Sequence, residues 1–136
     1  GVPGFDLILG GAKTVAYCHS QHRHVPALRK LQPEPSLELN PRTAEARGIA
    51  EGDRLRIVTP SGSFQAVAKL TPGHHPGTVT GQHGWWQACN GLGLPAFPAT
   101  GVGSANVNLG VDGELRDPVS GAFALRSTPC RVEKLA

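Results

Sequence analysis

The chain has 136 residues, 39% hydrophobic and only 17% charged, which suits one folded domain and excludes a highly charged disordered tail or a coiled coil. Its net charge of +3 comes from scattered basic residues, not the long clusters of a nucleic-acid binder, and its three Cys have no paired spacing, so they signal neither a disulfide framework nor a four-Cys zinc site. No apolar run approaches the ~18 residues that span a bilayer, and no signal peptide opens the chain.

In chain order, Phe5 to Leu9 alternate and end at Gly10-Gly11, and Thr14 to Cys18 read as a second strand by their β-branched and aromatic content. His19-Ser20-Gln21-His22-Arg23-His24 has no period and reads as a loop leading into a short helix from Pro26 to Leu31, with Pro in its first turn. Leu37-Glu38-Leu39 alternates as a short strand with both Leu on one face. The clearest local signal follows: Asn40 caps a helix, Pro41 takes its first turn, and Gly48 supplies the left-handed residue that ends it two turns later. Leu55 to Val58 and Ser63 to Leu70 form a hairpin around Pro60-Ser61-Gly62, and Thr78 to Thr80 is a further short strand. From Gln87 to Gly121 the chain is rich in Gly, Pro, Ala and Asn without a period, an irregular stretch long enough to suggest function. Leu125 to Val132 reads as the closing strand. Many short strands, a few very short helices and numerous turns from 18 Gly and 12 Pro describe a mainly β small barrel. The absence of Met predicts a piece cut from a longer chain.

Histidines form two groups, His19, His22 and His24, and His74, His75 and His83. The first lies in a loop without the helical i, i+4 spacing of a zinc protease site and without a carboxylate beside it as base, so polar or ligand-contacting loop residues are the better reading. His74-His75 sits inside a Pro-Gly turn and reads as solvent-exposed. Ser20 and Ser127 lack a nucleophile elbow, Cys18 reads as core, and the acidic residues fall at turns and helix faces, so no self-contained active site is expected. Phosphate chemistry fits better. Lys13, His19, Ser20, Gln21 and Arg23 place two cations and several neutral donors on connected loops, and Gly10-Gly11 allows close backbone approach. The other reading of the same residues is a solvated basic loop. Trp85 and Trp86 cannot both point inward from a strand, so one is expected to form a flat wall for a planar ligand or an interface.

An ordered series of motifs runs along nearly the whole chain: Tyr17 to Arg23 with Leu28-Arg29, Pro33-Glu34-Pro35, Leu39-Asn40-Pro41, Gly48-Ile49 with Gly52-Asp53, Ser61-Gly62, Pro76-Gly77, His83-Gly84-Trp85-Trp86, Ser104 to Asn108, Asp117-Pro118 with Ser120-Gly121, and Cys130-Arg131-Val132. In order and number they resemble the C-terminal molybdopterin dinucleotide-binding domain of the DMSO reductase superfamily, in the formate dehydrogenase and polysulfide or thiosulfate reductase neighbourhood. The resemblance implies a double-psi β-barrel with two or three short helices, residues 1–136 forming a single C-terminal domain of a longer oxidoreductase. It implies bis(molybdopterin guanine dinucleotide) carrying molybdenum or tungsten as cofactor, with the metal ligand in another domain. Carried over by position, the cofactor contacts are His19, Ser20, Gln21, Arg23, His83, Gly84, Trp85, Asn106 and Arg126; Lys13 joins them from the phosphate reading, and Lys13, Arg23 and Arg126 can neutralise diphosphate. The implied partners are the remaining domains of the parent and an iron-sulfur electron-transfer subunit, with no nucleic acid and no membrane segment in this piece. The departure falls at Gln87 to Gly103, where relatives often follow the paired Trp with a Pro and an acidic residue. The alternative is a stand-alone double-psi barrel acting as an interaction module, its His19 to Arg23 loop and Trp pair facing a partner. A small hydrolase or metal enzyme built on His22, His24 and His83 is disfavoured by the lack of convergent carboxylates.

Overall fold

The computed structural model describes residues 2–123 and 125–136. Six strands, β1 (Leu7–Ala12), β2 (Ser36–Leu39), β3 (Arg54–Thr59), β4 (Gly62–Leu70), β5 (Thr78–Gln82) and β6 (Thr128–Lys134), close into a barrel in the order β1-β5-β2-β4-β3-β6. The pairs β1–β5 and β2–β4 are parallel, and the other four are antiparallel. This closed, mainly β architecture is the one that the resemblance implies.

Alternation decides what fills the barrel. Leu7 and Leu9, Leu37 and Leu39, Leu55 and Ile57, Phe64, Val79, and Cys130 and Val132 point inward from their strands and form one buried cluster. Full burial of each such large side chain contributes roughly 1.5–3 kcal/mol. Every strand is hydrogen-bonded on both sides, so the barrel closes with no free edge. At the β3–β4 turn, Thr59 Oγ1 accepts from Ser61 N and Gly62 N and donates to Gly110 O, which fastens the irregular segment to the hairpin.

Among the described residues the two α-helices are α1 (Pro26–Arg29) and α2 (Pro41–Glu45). Asn40 caps α2 by accepting from Arg42 N at 2.9 Å, and Gly48 stands at φ +65° beyond its end.

Three expectations are corrected. Thr14 to Cys18 is not a strand: the ladders on both sides of β1 end by Ala12, so the chain beyond has no partner and turns away, leaving Cys18 exposed instead of in the core. The first strand also runs on through Gly10 and Gly11, because β5 offers Thr80 and Gly81 as parallel partners. The last strand starts at Thr128, three residues later than read, and Leu125 and Arg126 lie in a turn before it. Gln87 to Gly121 is irregular as expected, broken only by short 3-10 turns at Asn90–Leu92 and Val107–Gly110 and by isolated bridges such as Cys89 to Leu94.

Candidate functional site

Because β1 and β5 run parallel and in register to Ala12 and Gln82, the loops that follow them leave the barrel at the same end. There the 13–25 loop meets the 83–87 loop. Gly84 is the point of closest approach: at φ +84°, a Cβ placed on it would stand 2.6 Å from Ser20 Cα and 2.9 Å from His19 O. Only glycine serves, for lack of space and for its left-handed backbone. Trp86 Nε1 donates to Ser20 O at 3.2 Å from the neighbouring residue pair. The first loop is itself sharply bent, with His19 at φ +50° and His22 at φ +72°. Non-glycine residues rarely hold such values, which cost of order 1–3 kcal/mol and persist only where surroundings enforce them.

Beneath the loops lies a second buried cluster, Tyr17, Trp85 and Ala105, with Leu28 and Phe97 packed against it. Two guanidinium groups are sunk into it. Arg23 is 1% exposed and Arg29 fully buried. The Arg23 guanidinium carbon stands 4.3 Å from the Tyr17 ring centroid and 5.0 Å from that of Trp85, and Arg29 lies 5.1 Å from Trp85 on its own account. Among the described residues neither is paired with a carboxylate, and their hydrogen bonds go to backbone carbonyls. Arg23 Nη1 donates to His19 O (2.6 Å) and Gln21 O (3.3 Å), and Nη2 to His83 O (2.8 Å). Arg29 donates to the carbonyls of Pro33, Arg23, Gln87 and Pro95.

Above the loops opens a cavity of about 460 Å³. Its walls are the end of β1 (Gly11 to Lys13), His19 and Ser20, then Gly81, His83 and Gly84, together with Val107, Asn108 and Val111 and with Leu125 and Arg126. Lys13 and Arg126 enter no ion pair among the described residues, and no carboxylate lines the cavity. Burial, reinforced by the charges of Arg23, His19 and Lys13, holds the His83 pKa below its ordinary value, so the ring is neutral at pH 7. Three glycines, two free cations, small polar side chains and an apolar wall of Val107, Val111 and Leu125 make a container suited to an anion joined to a planar ring system.

The structure thus gathers Lys13, His19, Ser20, His83, Gly84 and Arg126 in one cavity. It places the other four sequence-derived residues elsewhere. Gln21 is exposed on the loop, outside the cavity wall. Arg23, read from the sequence as a diphosphate contact, is directed under the loop by the carbonyls and rings that enclose it. Trp85 is in the second core with its Nε1 donating to Gln82 Oε1, while Trp86 is the exposed member of the pair. Asn106 is occupied as the cap of the following 3-10 turn, accepting from Asn108 N and donating to Ala99 O. Asn108, which sequence reasoning passed over, is the Asn at the cavity. Alternation along the Asn-Val-Asn triplet would put both amides on one side, and it is the 3-10 turn beginning at Val107, with Asn106 as its cap, that parts them.

The sequence profile of the family described as "Molydopterin dinucleotide binding domain" matches residues 7–129. The chain is 34% identical over 126 residues to the dopamine dehydroxylase of Eggerthella lenta, a match covering 91% of this chain and 12% of that protein. It is 29% identical over 126 residues to a tetrathionate reductase component of Salmonella typhimurium, covering 82% of this chain and 12% of that one. Among solved structures it is similar to acetylene hydratase from Pelobacter acetylenicus, with a TM-score of 0.82 and 25% identity over 96% of this chain and 18% of that one. The chain therefore spans only 12% of the length of these curated relatives.

Proposed function

The chain belongs to the molydopterin dinucleotide binding family, and from that premise we propose that its cavity holds part of a molybdopterin guanine dinucleotide as one domain of a larger molybdenum or tungsten oxidoreductase. The relatives are named as a dehydroxylase, a reductase and a hydratase, so the domain they share fits cofactor retention better than any one reaction. One observation carries the reading: among the described residues, the cavity where the two loops meet has two unpaired cations and no acid. Lys13 and Arg126 would take the diphosphate, Arg126 with its planar fork and Lys13 as a point charge. Ser20, Asn108 and neutral His83 supply the small donors and acceptors that a pterin edge demands, and Val107, Val111 and Leu125 supply an apolar face. A cavity of about 460 Å³ is of the size that takes one drug-sized ligand, so it encloses a portion of a dinucleotide and leaves the rest to other domains. The bis form of the cofactor, the metal ligand and an iron-sulfur electron-transfer subunit belong to that larger assembly. When bound, the cofactor supplies the redox-active metal, and the residues here hold and orient it.

The test is the full-length protein carrying Lys13→Ala and Arg126→Ala. Metal content by mass spectrometry and pterin fluorescence after oxidation are expected to fall together. Wild-type occupancy of both in the double variant would overturn the assignment.

A further inference from the structure

We propose that Arg23 is a positioning residue: its guanidinium, seated with Arg29 in the Tyr17–Trp85 box, sets the spacing and tilt of the two loops that face the cavity and does not itself touch the ligand. The ligand part of this inference rests on the cofactor reading above, and the clasp itself does not.

Accessibility comes first. At 1% exposed, with the Tyr17 and Trp85 rings packed against it and carbonyls taking its Nη donors, the Arg23 guanidinium is closed to solvent and lines no part of the cavity. Its hydrogen bonds then show what it joins. His19 O and Gln21 O belong to the first loop and His83 O to the second, so one rigid fork spans both. Arg29 repeats the pairing one layer away, donating to Arg23 O on the first loop and Gln87 O on the second. Gln87 closes the stitch from the other side, its Oε1 accepting from Arg23 N at 3.1 Å.

The left-handed turns at His19 and His22 belong to the same device. They aim the carbonyls of His19 and Gln21 down at the guanidinium and leave the His19 and Ser20 side chains on the cavity wall. Meanwhile Arg23 Nε is buried with no hydrogen-bond partner among the described residues. A guanidinium placed only to satisfy its donors would fill that valence. This one is placed to reach two loops, and the aromatic rings beside it offset the cost of the unpaired Nε–H donor.

The experiment uses the 136-residue chain, the charge-preserving variant Arg23→Lys and the deletion Arg23→Gly, with barrel methyl signals of Leu37 and Ile57 reporting that the fold persists. Lysine keeps the cation but has a single nitrogen in place of the planar fork whose two nitrogens reach carbonyls on two loops. In the ligand-free chain, the ring signals of His19 and His83 are expected to shift in both variants. Binding of inorganic pyrophosphate by calorimetry is expected to weaken about tenfold or more in both. Guanidinium ion added at millimolar level is expected to restore the signals and the binding in Arg23→Gly. Wild-type binding in Arg23→Lys would show that charge alone matters, and unmoved His signals with weakened binding would make Arg23 a direct ligand. Either result overturns the proposal. Shifted His signals in a chain whose wild type ignores pyrophosphate would keep the clasp and remove the cofactor reading.

Discussion

At His83, burial, Arg23, His19 and Lys13 all act against the protonated ring. The unfolded chain lacks those neighbours, so it binds the proton more readily, and stability rises with pH across the window from the lowered folded value up to the ordinary 6.5. Acidification through that window removes stability. A series of thermal melts between about pH 7.5 and about pH 5.5 is expected to show an acid limb that flattens in His83→Asn, and an unchanged limb would contradict the assignment. Cys130 illustrates the same force on a different group: burial first, then Asp6, pushes its thiol to about 12, so it packs as a small hydrophobe. That Lys13, His19 and Ser20 would come together on connected loops around one cavity is legible in the sequence, because polar side chains in an aperiodic stretch have few other uses. Arg23 and Trp85 are not, because nothing in the residue type says whether a guanidinium or an indole faces a ligand or props up the loop that does.

Among elements, α2 shows how completely a short segment can specify itself. Asn40 accepts from Arg42 N, donates to Pro72 O (3.3 Å) and His74 O (2.7 Å), and leads into a proline in the first turn. Asn40→Ala is expected to cost about 1 kcal/mol for the cap alone, and more because two carbonyls of the β4–β5 connection lose their donor. Urea unfolding would measure it, and a change under a few tenths of a kcal/mol would show that the cap is dispensable. The β3–β4 hairpin is equally legible, since its alternation and its turn residues are both local. Thr14 to Cys18 has the composition of a strand and is not one, because a strand needs a neighbour and the ladders beside β1 stop at Ala12 and Gln82. That information lies some seventy residues away in the sequence.

On the scale of the whole molecule, stability is unevenly spread. From Asp112 to Ser127 the described residues are exposed, and they include Leu115, Val119, Phe123 and Leu125. This arm is ordered mostly from within: the Asp117 carboxylate accepts from Val119 N, Ser120 N and Ser120 Oγ, and the Arg116 guanidinium lies 5.1 Å from the Phe123 ring centroid. In hydrogen exchange read by mass spectrometry, amides of 112–123 are expected to exchange orders of magnitude faster than those of β3 and β4. Protection of the arm equal to that of the barrel would show that it is not the loosely held part. The sequence signals this region only as irregular, because its order comes from contacts between side chain and backbone that have no period.

The closing strand has a consequence for how the chain is made. β6 alone bridges β1, from the start of the chain, and β3, from its middle. During synthesis the nascent chain must therefore keep two strand edges open until Thr128 to Lys134 have cleared the ribosome exit tunnel. Translation that stops before Thr128 leaves both edges bare, a template for pairing with a second unfinished copy.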